Sequence, residues 1–204
     1  MRGECDTTCA KCSTHNCNRR NVFDFILCFA GASTLDSVVT PALTRFVENV
    51  FVYDMDIWTA LEQSFGEDRH ALNSSPVMLS FAVFERQPDG TRRRIVHTRV
   101  LALSNLRDAR PWGLHIYQCH TCRAPAHNMI FHPDGHQFVG AKWLQTKIRY
   151  KCLACGASRR SISTPPWVHR SGEENFGRVW YAWPLSSDEL KEIGVVSVVE
   201  DKPK

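Results

Sequence analysis

The chain has 204 residues, 43% of them hydrophobic and 23% charged, with a formal net charge of +4. These are ordinary globular values, which exclude wholesale disorder, and the length suffices for one good core or a small domain with a metal-stapled appendix. The longest apolar run, residues 25–30, is far short of a membrane span, and the net charge alone is too weak to imply nucleic acid.

Residues 1–20 form a cysteine-rich segment in a polar context. "MRGECDTTCAKC" has a basic residue but no apolar core behind it, so it does not read as a secretory signal. The nine cysteines are then expected as thiols and metal ligands in an intracellular protein, nuclear or cytoplasmic. Cys5, Cys9, Cys12 and Cys17, with His15 as an alternative, pack five candidate ligands into thirteen residues and suggest a second small zinc site. The competing reading is incidental thiols at a terminus. The CxxxCxxC portion resembles the cluster motif of radical SAM enzymes, which would imply an iron–sulfur cofactor. Three features oppose that: the motif opens the chain instead of following a barrel strand, Lys11 stands where an aromatic is usual, and no repeated strand–helix pattern follows.

Residues 21–110 predict a mixed α/β core. Residues 22–30 are apolar and aromatic and read as a buried strand broken at Gly31. Thr40-Pro41 predicts a helix N-cap with proline in the first position, after which Leu43, Phe46, Val47 and Val50 repeat at helical spacing. Asp56 predicts the cap of a second helix over 57–65, with Gly66 past its end. Residues 77–85 and 93–103 predict a β-hairpin that turns at Pro88-Asp89-Gly90, apolar enough to be central in a sheet. Residues 106–113 read as a linker. Cys28 reads as a small core residue and His97 as a sheet residue. There is no P-loop and no G-x-S-x-G elbow.

Residues 114–163 carry the strongest signal. "YQCHTCRAPAH" and "YKCLACGASRR" each hold a C-x₂-C pair: Cys119 and Cys122, then Cys152 and Cys155. Two such turns bring four thiolates to one tetrahedral ion. Gly156 suits the turn after the second pair, where positive φ is often needed, and Arg123 at the equivalent position is a weaker fit. The 29 residues between the pairs exceed the usual spacing, which an intervening hairpin would explain. A second Pro-Asp-Gly turn, at 133–135, lies in this interval, and "KWLQTKIRY" predicts the strand delivering the second pair. The segment resembles a zinc ribbon, which implies a structural Zn²⁺ site of four cysteines. A C₂H₂-like set of Cys119, Cys122, His132 and His136 competes, but its histidines span a turn, not one helical face. Four cysteines with Asp134 as the nearby acid make a closed site, so no catalysis is expected of it.

The ribbon is also the basic part of the chain. Residues 115–160 hold seven Lys and Arg against one acid, Asp134. Lys147, Arg149, Lys151, Arg159 and Arg160 are the candidate phosphate contacts. Trp143, Tyr150, Trp167, Trp180, Tyr181 and Trp183 interleave with basic residues and could stack bases, although strand aromatics are more often core.

Residues 164–204 predict a strand over 178–183, a capping-box helix opening at Ser186 and stopping at Gly194, and a last strand over 195–199. These elements are expected to pack on the core. "LNSSPVMLSFAVFE" and "YAWPLSSDELKEIGV" resemble stretches of uncharacterised fungal proteins, which implies no activity. The sequence thus describes an α+β protein with a zinc ribbon, not assigned as an enzyme. It is expected to bind Zn²⁺ and to contact nucleic acid or a protein partner, with no membrane. The alternatives are an enzyme or degenerate enzyme in which the ribbon is a staple, and a protein-interaction module.

Overall fold

The computed structural model describes residues 23–31, 34–113, 115–139, 141–171 and 175–194. The fold is mixed α+β, as the sequence predicts. Strands β1 (Phe25–Phe29), β2 (Val77–Arg86), β3 (Arg92–Leu103), β9 (His169–Arg170) and β10 (Arg178–Ala182) form an antiparallel sheet in the order β1-β2-β3-β10-β9. Helices α1 (Asp36–Phe51), α2 (Ile57–Gly66) and α3 (Arg69–Ser74) lie between β1 and β2 in the chain. The ribbon falls between β3 and β9. It holds a three-stranded sheet, β4 (Met129–Pro133), β7 (Ile148–Cys152) and β8 (Ser158–Ile162), and a two-stranded hairpin, β5 (His136–Val139) and β6 (Lys142–Gln145). Helix α4 (Ser187–Glu192) follows β10.

Successive strand residues point to opposite faces, and here the two faces serve two cores. On β3, Leu101 and Leu103 pack with the helices, while Val100 and Ala102 pack with the ribbon. On β10, Trp180 joins the helical cluster, and Val179 and Tyr181 join the ribbon's. The main sheet is therefore the middle layer of three. Two-sided burial is why Val77–Leu79 on β2 and Val100–Leu103 on β3 read as unbroken apolar runs, whereas the far end of the hairpin, residues 83–86 and 92–93, is exposed.

The helical layer differs from expectation at its start. Asp56 does cap α2, accepting from the Thr59 N–H at 3.0 Å. Helix α1, however, begins at Asp36 rather than Thr40, and Pro41 lies inside it. The Thr40 hydroxyl donates to the Asp36 carbonyl at 2.6 Å, so it caps nothing. Burial decides the matter: Val39 is in the core ahead of Pro41, and the buried stripe is Val39, Ala42, Phe46 and Asn49, with Val47 45% exposed. Packing of that stripe outweighs the proline penalty. Helix α3 is not anticipated by the sequence reading, although Asp68 caps it by accepting from Ala71 N–H.

Against the helical layer, the Arg99 guanidinium lies 4.8 Å from the Trp180 ring centroid, 5.1 Å from Trp58 and 5.5 Å from Phe81. Three aromatic faces hold this charge against the sheet.

The predicted linker is not one. Residues 109–113 are buried, and Asn105 and Arg110 exchange two backbone hydrogen bonds of 2.8 Å. Gly113 crosses β3 so closely that a Cβ there would lie 2.2 Å from the Ala102 Cβ, and its φ is +86°. Gly113→Ala combines overpacking with left-handed strain and is expected to cost about 2–4 kcal/mol in denaturant unfolding.

The C-terminal prediction holds for the strand and for the capping box, in which Ser186 and Glu189 bond reciprocally. The strand expected over 195–199 lies outside the described residues, as do Cys5, Cys9, Cys12, His15 and Cys17. No helix among the described residues is long and apolar enough to cross a membrane.

Candidate metal centre and basic face

The two knuckles are built alike. After each C-x₂-C pair the chain turns back: Arg123 N–H donates to Cys119 O at 2.9 Å, and Gly156 N–H donates to Cys152 O at 3.0 Å. The residue after each pair has positive φ, +61° for Arg123 and +74° for Gly156. Arg123 therefore takes the same left-handed conformation as the glycine. Its guanidinium donates to the Gly194 carbonyl at 2.7 Å, which ties the first knuckle to the end of α4. Gln118 N–H donates to Ile193 O nearby. The side chain thus supplies a contact that glycine lacks, which the turn pattern alone does not reveal.

Cys119, Cys122, Cys152 and Cys155 present sulfurs that all lie within 4.8 Å of one another. Cys119 Sγ is 3.8 Å from Cys155 Sγ, and Cys122 Sγ is 3.7 Å from Cys152 Sγ. These separations are too long for disulfides. A tetrahedron with metal–sulfur bonds of about 2.3 Å has edges of about 3.8 Å, so the four thiols fit a single ion. Cys119 and Cys152 are fully buried, whereas Cys122 and Cys155 reach the surface. His132 and His136 do not join the cluster. Residues 132–136 are not a hairpin tip, because β4 pairs with β7 and β5 with β6. The Pro-Asp-Gly segment is where the chain passes from one sheet to the other.

The sulfurs perturb one another. Burial raises the Cys119 thiol, but the backbone N–H groups of Cys122 and Thr121 and the thiols of Cys152 and Cys155 outweigh it and bring it to about 6. At Cys155 the Ala157 N–H favours the thiolate, yet the crowded Cys122, Cys152 and Cys119 sulfurs drive it to about 12. Four thiolates at one point need a cation among them.

Tyr150 connects the centre to the ribbon core. It is buried against Tyr117 and Phe131, and its hydroxyl meets the His120 ring nitrogen Nδ1. Nothing in the local sequence pattern marks Tyr117 or His120, because their roles depend on contact with Tyr150 about 30 residues away.

On β7, Ile148, Tyr150 and Cys152 are buried, and Arg149 and Lys151 point the other way. Their outer face carries a concavity of about 370 Å³ lined by His132, Arg149, Tyr150, Lys151, Ser158 and Arg160. Three of the five candidate phosphate contacts thus come together there. Arg159 sits opposite Tyr150 in the register, and Lys147 packs its stem over Gly135. The buried Nε of Arg149 has no hydrogen-bond partner. His132, which the sequence places at a turn, lines the concavity from β4.

Asp134 fixes the rim. Its carboxylate accepts from Ser161 N–H at 2.6 Å and lies 3.9 Å from the Arg160 Nε. The Ser161 backbone bond foremost, then Arg160 and the Ser161 hydroxyl, hold the Asp134 carboxyl below its ordinary range. A depressed folded-state value stabilises the fold above about pH 4, and that stability is lost as pH falls through the folded value. Asp134→Asn is therefore expected to unfold at a lower temperature than the parent at neutral pH. Melting curves at successive pH values should show the gap closing below about pH 4.

Fold and site together define an α+β protein with a four-cysteine cluster on one side of its sheet and a basic concavity on the outer face of the same ribbon. No protein-family model, curated protein or solved structure matches the chain.

Proposed function

We propose that this is a zinc-binding protein in which a closed four-cysteine centre fixes the ribbon so that its basic outer face engages nucleic-acid phosphates. The observation that carries this is the alternation on β7. One strand ends in a metal-cluster cysteine, Cys152, buries Ile148 and Tyr150, and turns Arg149 and Lys151 outward into the concavity. Four soft sulfurs in a tetrahedron suit Zn²⁺, which has no geometric preference of its own. A multi-iron cluster would hold its cysteines further apart than these edges. With four protein ligands the ion has no open position, so its role is structural. Arginines, a lysine and a serine in a concavity are the donor set for phosphate oxygens.

Metal analysis of protein purified without added metal tests the centre. The Cys152→Ser/Cys155→Ser variant should hold one zinc fewer per chain than the parent. Two falling to one would show that the N-terminal cysteines bind as well, and one falling to none would confine zinc to the ribbon. Iron in the parent, or undiminished zinc in the variant, would overturn the assignment.

A further inference from the structure

We infer that the nucleic acid is single-stranded, with unpaired bases stacking on the Phe138–Trp143 pair beside the basic concavity. The inference rests on the nucleic-acid reading above. Phe138 and Trp143 are cross-strand partners on the β5–β6 hairpin, with ring centroids 5.8 Å apart at 63°. They share one hairpin face and are 63% and 69% exposed. The other face buries Leu144 and holds the Thr146–Gln137 side-chain bond of 2.7 Å. Of the six aromatics that interleave with basic residues, Trp143 is the exposed one: Tyr150 and Tyr181 are buried, and Trp167, Trp180 and Trp183 are half-buried. An aromatic pair this exposed offers ring faces on which bases can stack.

Its surroundings select the partner. Residues 135–160 contain six Lys and Arg and no Asp or Glu. A partner here must be anionic and must also offer flat apolar faces. Nucleic acid does both, but a duplex hides its base faces in the stack, whereas a single strand presents them. The hairpin lies in the chain between β4 and β7, the strands that carry His132, Arg149 and Lys151 of the concavity. Asp134 N–H donates to Lys147 O at 2.8 Å, and Lys147 N–H donates to Gly135 O at 3.2 Å. Along the strand, Phe138 is at most about 20 Å from His132 in the concavity. One strand can therefore lay its phosphates along Arg149, Lys151 and Arg160 and its bases on the two rings.

The test is fluorescence anisotropy with a labelled 12-nucleotide single strand, ribo and deoxyribo, against the matching duplex at one salt concentration. The parent should prefer the single strand, with either sugar. Phe138→Ala/Trp143→Ala should weaken it about tenfold or more while leaving duplex affinity within about twofold. Metal content and melting temperature should not change. Trp143→Phe should retain most of the affinity and Trp143→Leu should lose it, which separates stacking from apolar contact should the double variant fold poorly. Equal affinity for both forms, or Leu as good as Phe, would overturn stacking and leave the phosphate reading standing. No binding to either form would overturn both.

Discussion

Cys119→Ser/Cys152→Ser is expected to unfold the ribbon and to remove most of the stability of the whole chain. These sulfurs are the fully buried half of the cluster, and they sit in the same core as Tyr117, Phe131, Ile148 and Tyr150. Structural zinc in small sites contributes an apparent binding free energy of about 10–16 kcal/mol, whereas a domain's net stability is about 5–15 kcal/mol. If the four cysteines hold zinc, its loss is therefore comparable to the entire margin. The damage should not stay local. The ribbon core continues into Val100 and Ala102 on β3 and Val179 and Tyr181 on β10, so melting the ribbon uncovers one face of the main sheet. Loss of a detached metal-bound module would leave the rest of a protein untouched, whereas loss of the ribbon here should not. Circular dichroism melts with and without chelator check it, with Cys28→Ser as control. Cys28 is half-buried, with its thiol 3.7 Å from the Met78 carbonyl, and its loss should cost about 1 kcal/mol or less. A melting temperature unchanged by chelator would show that the ribbon holds itself together.

The second large effect concerns salt. If Lys147, Arg149, Lys151, Arg159 and Arg160 each neutralise one phosphate, log affinity for a single strand should fall with log salt at a slope of about −3.5. That is roughly a hundredfold loss between 50 and 200 mM salt. Lys151→Ala/Arg160→Ala removes two of the three cations that line the concavity and should flatten the slope to about −2. Arg159→Ala/Lys147→Ala tests whether the two that stand outside the concavity contribute. A slope that no basic substitution alters would place the binding surface elsewhere. Lys151 and Arg160 are exposed, and the Arg160–Asp134 contact is a surface one of 3.9 Å, so the variant lacking both should still fold, which its melting temperature checks alongside the slope.

Much of this molecule is legible from its sequence because the signals are local. A C-x₂-C pair closes its own turn, Asp56 and Ser186 satisfy N–H groups three residues on, and Pro88-Asp89-Gly90 reverses a hairpin within five residues. Each depends on neighbours a few positions away, so the pattern carries the geometry. The second Pro-Asp-Gly shows where that logic stops. Residues 133–135 have the same turn chemistry, yet they do not join paired strands, because the partner of β4 is β7. Strand pairing is a long-range choice that turn residues permit and do not dictate.

The start of α1 and the conformation of Arg123 fall in the same class. Thr40-Pro41 is a sound capping signal, and it lost to the burial of Val39 against the sheet. Arg123 looks unsuited to positive φ until Gly194, 71 residues away, accepts its guanidinium. The sequence by itself determined the mixed fold class, the central hairpin, the four cysteines and the concentration of positive charge around them. The tertiary structure alone decided that the main sheet is buried on both faces around β3 and β10, that Arg149, Lys151 and Arg160 share one concavity, and that Trp143 stays in solvent while the other interleaved aromatics do not. The physical reason is that a residue's exposure is set by what packs across from it. In this chain the layers that meet at the sheet come from segments far apart in sequence.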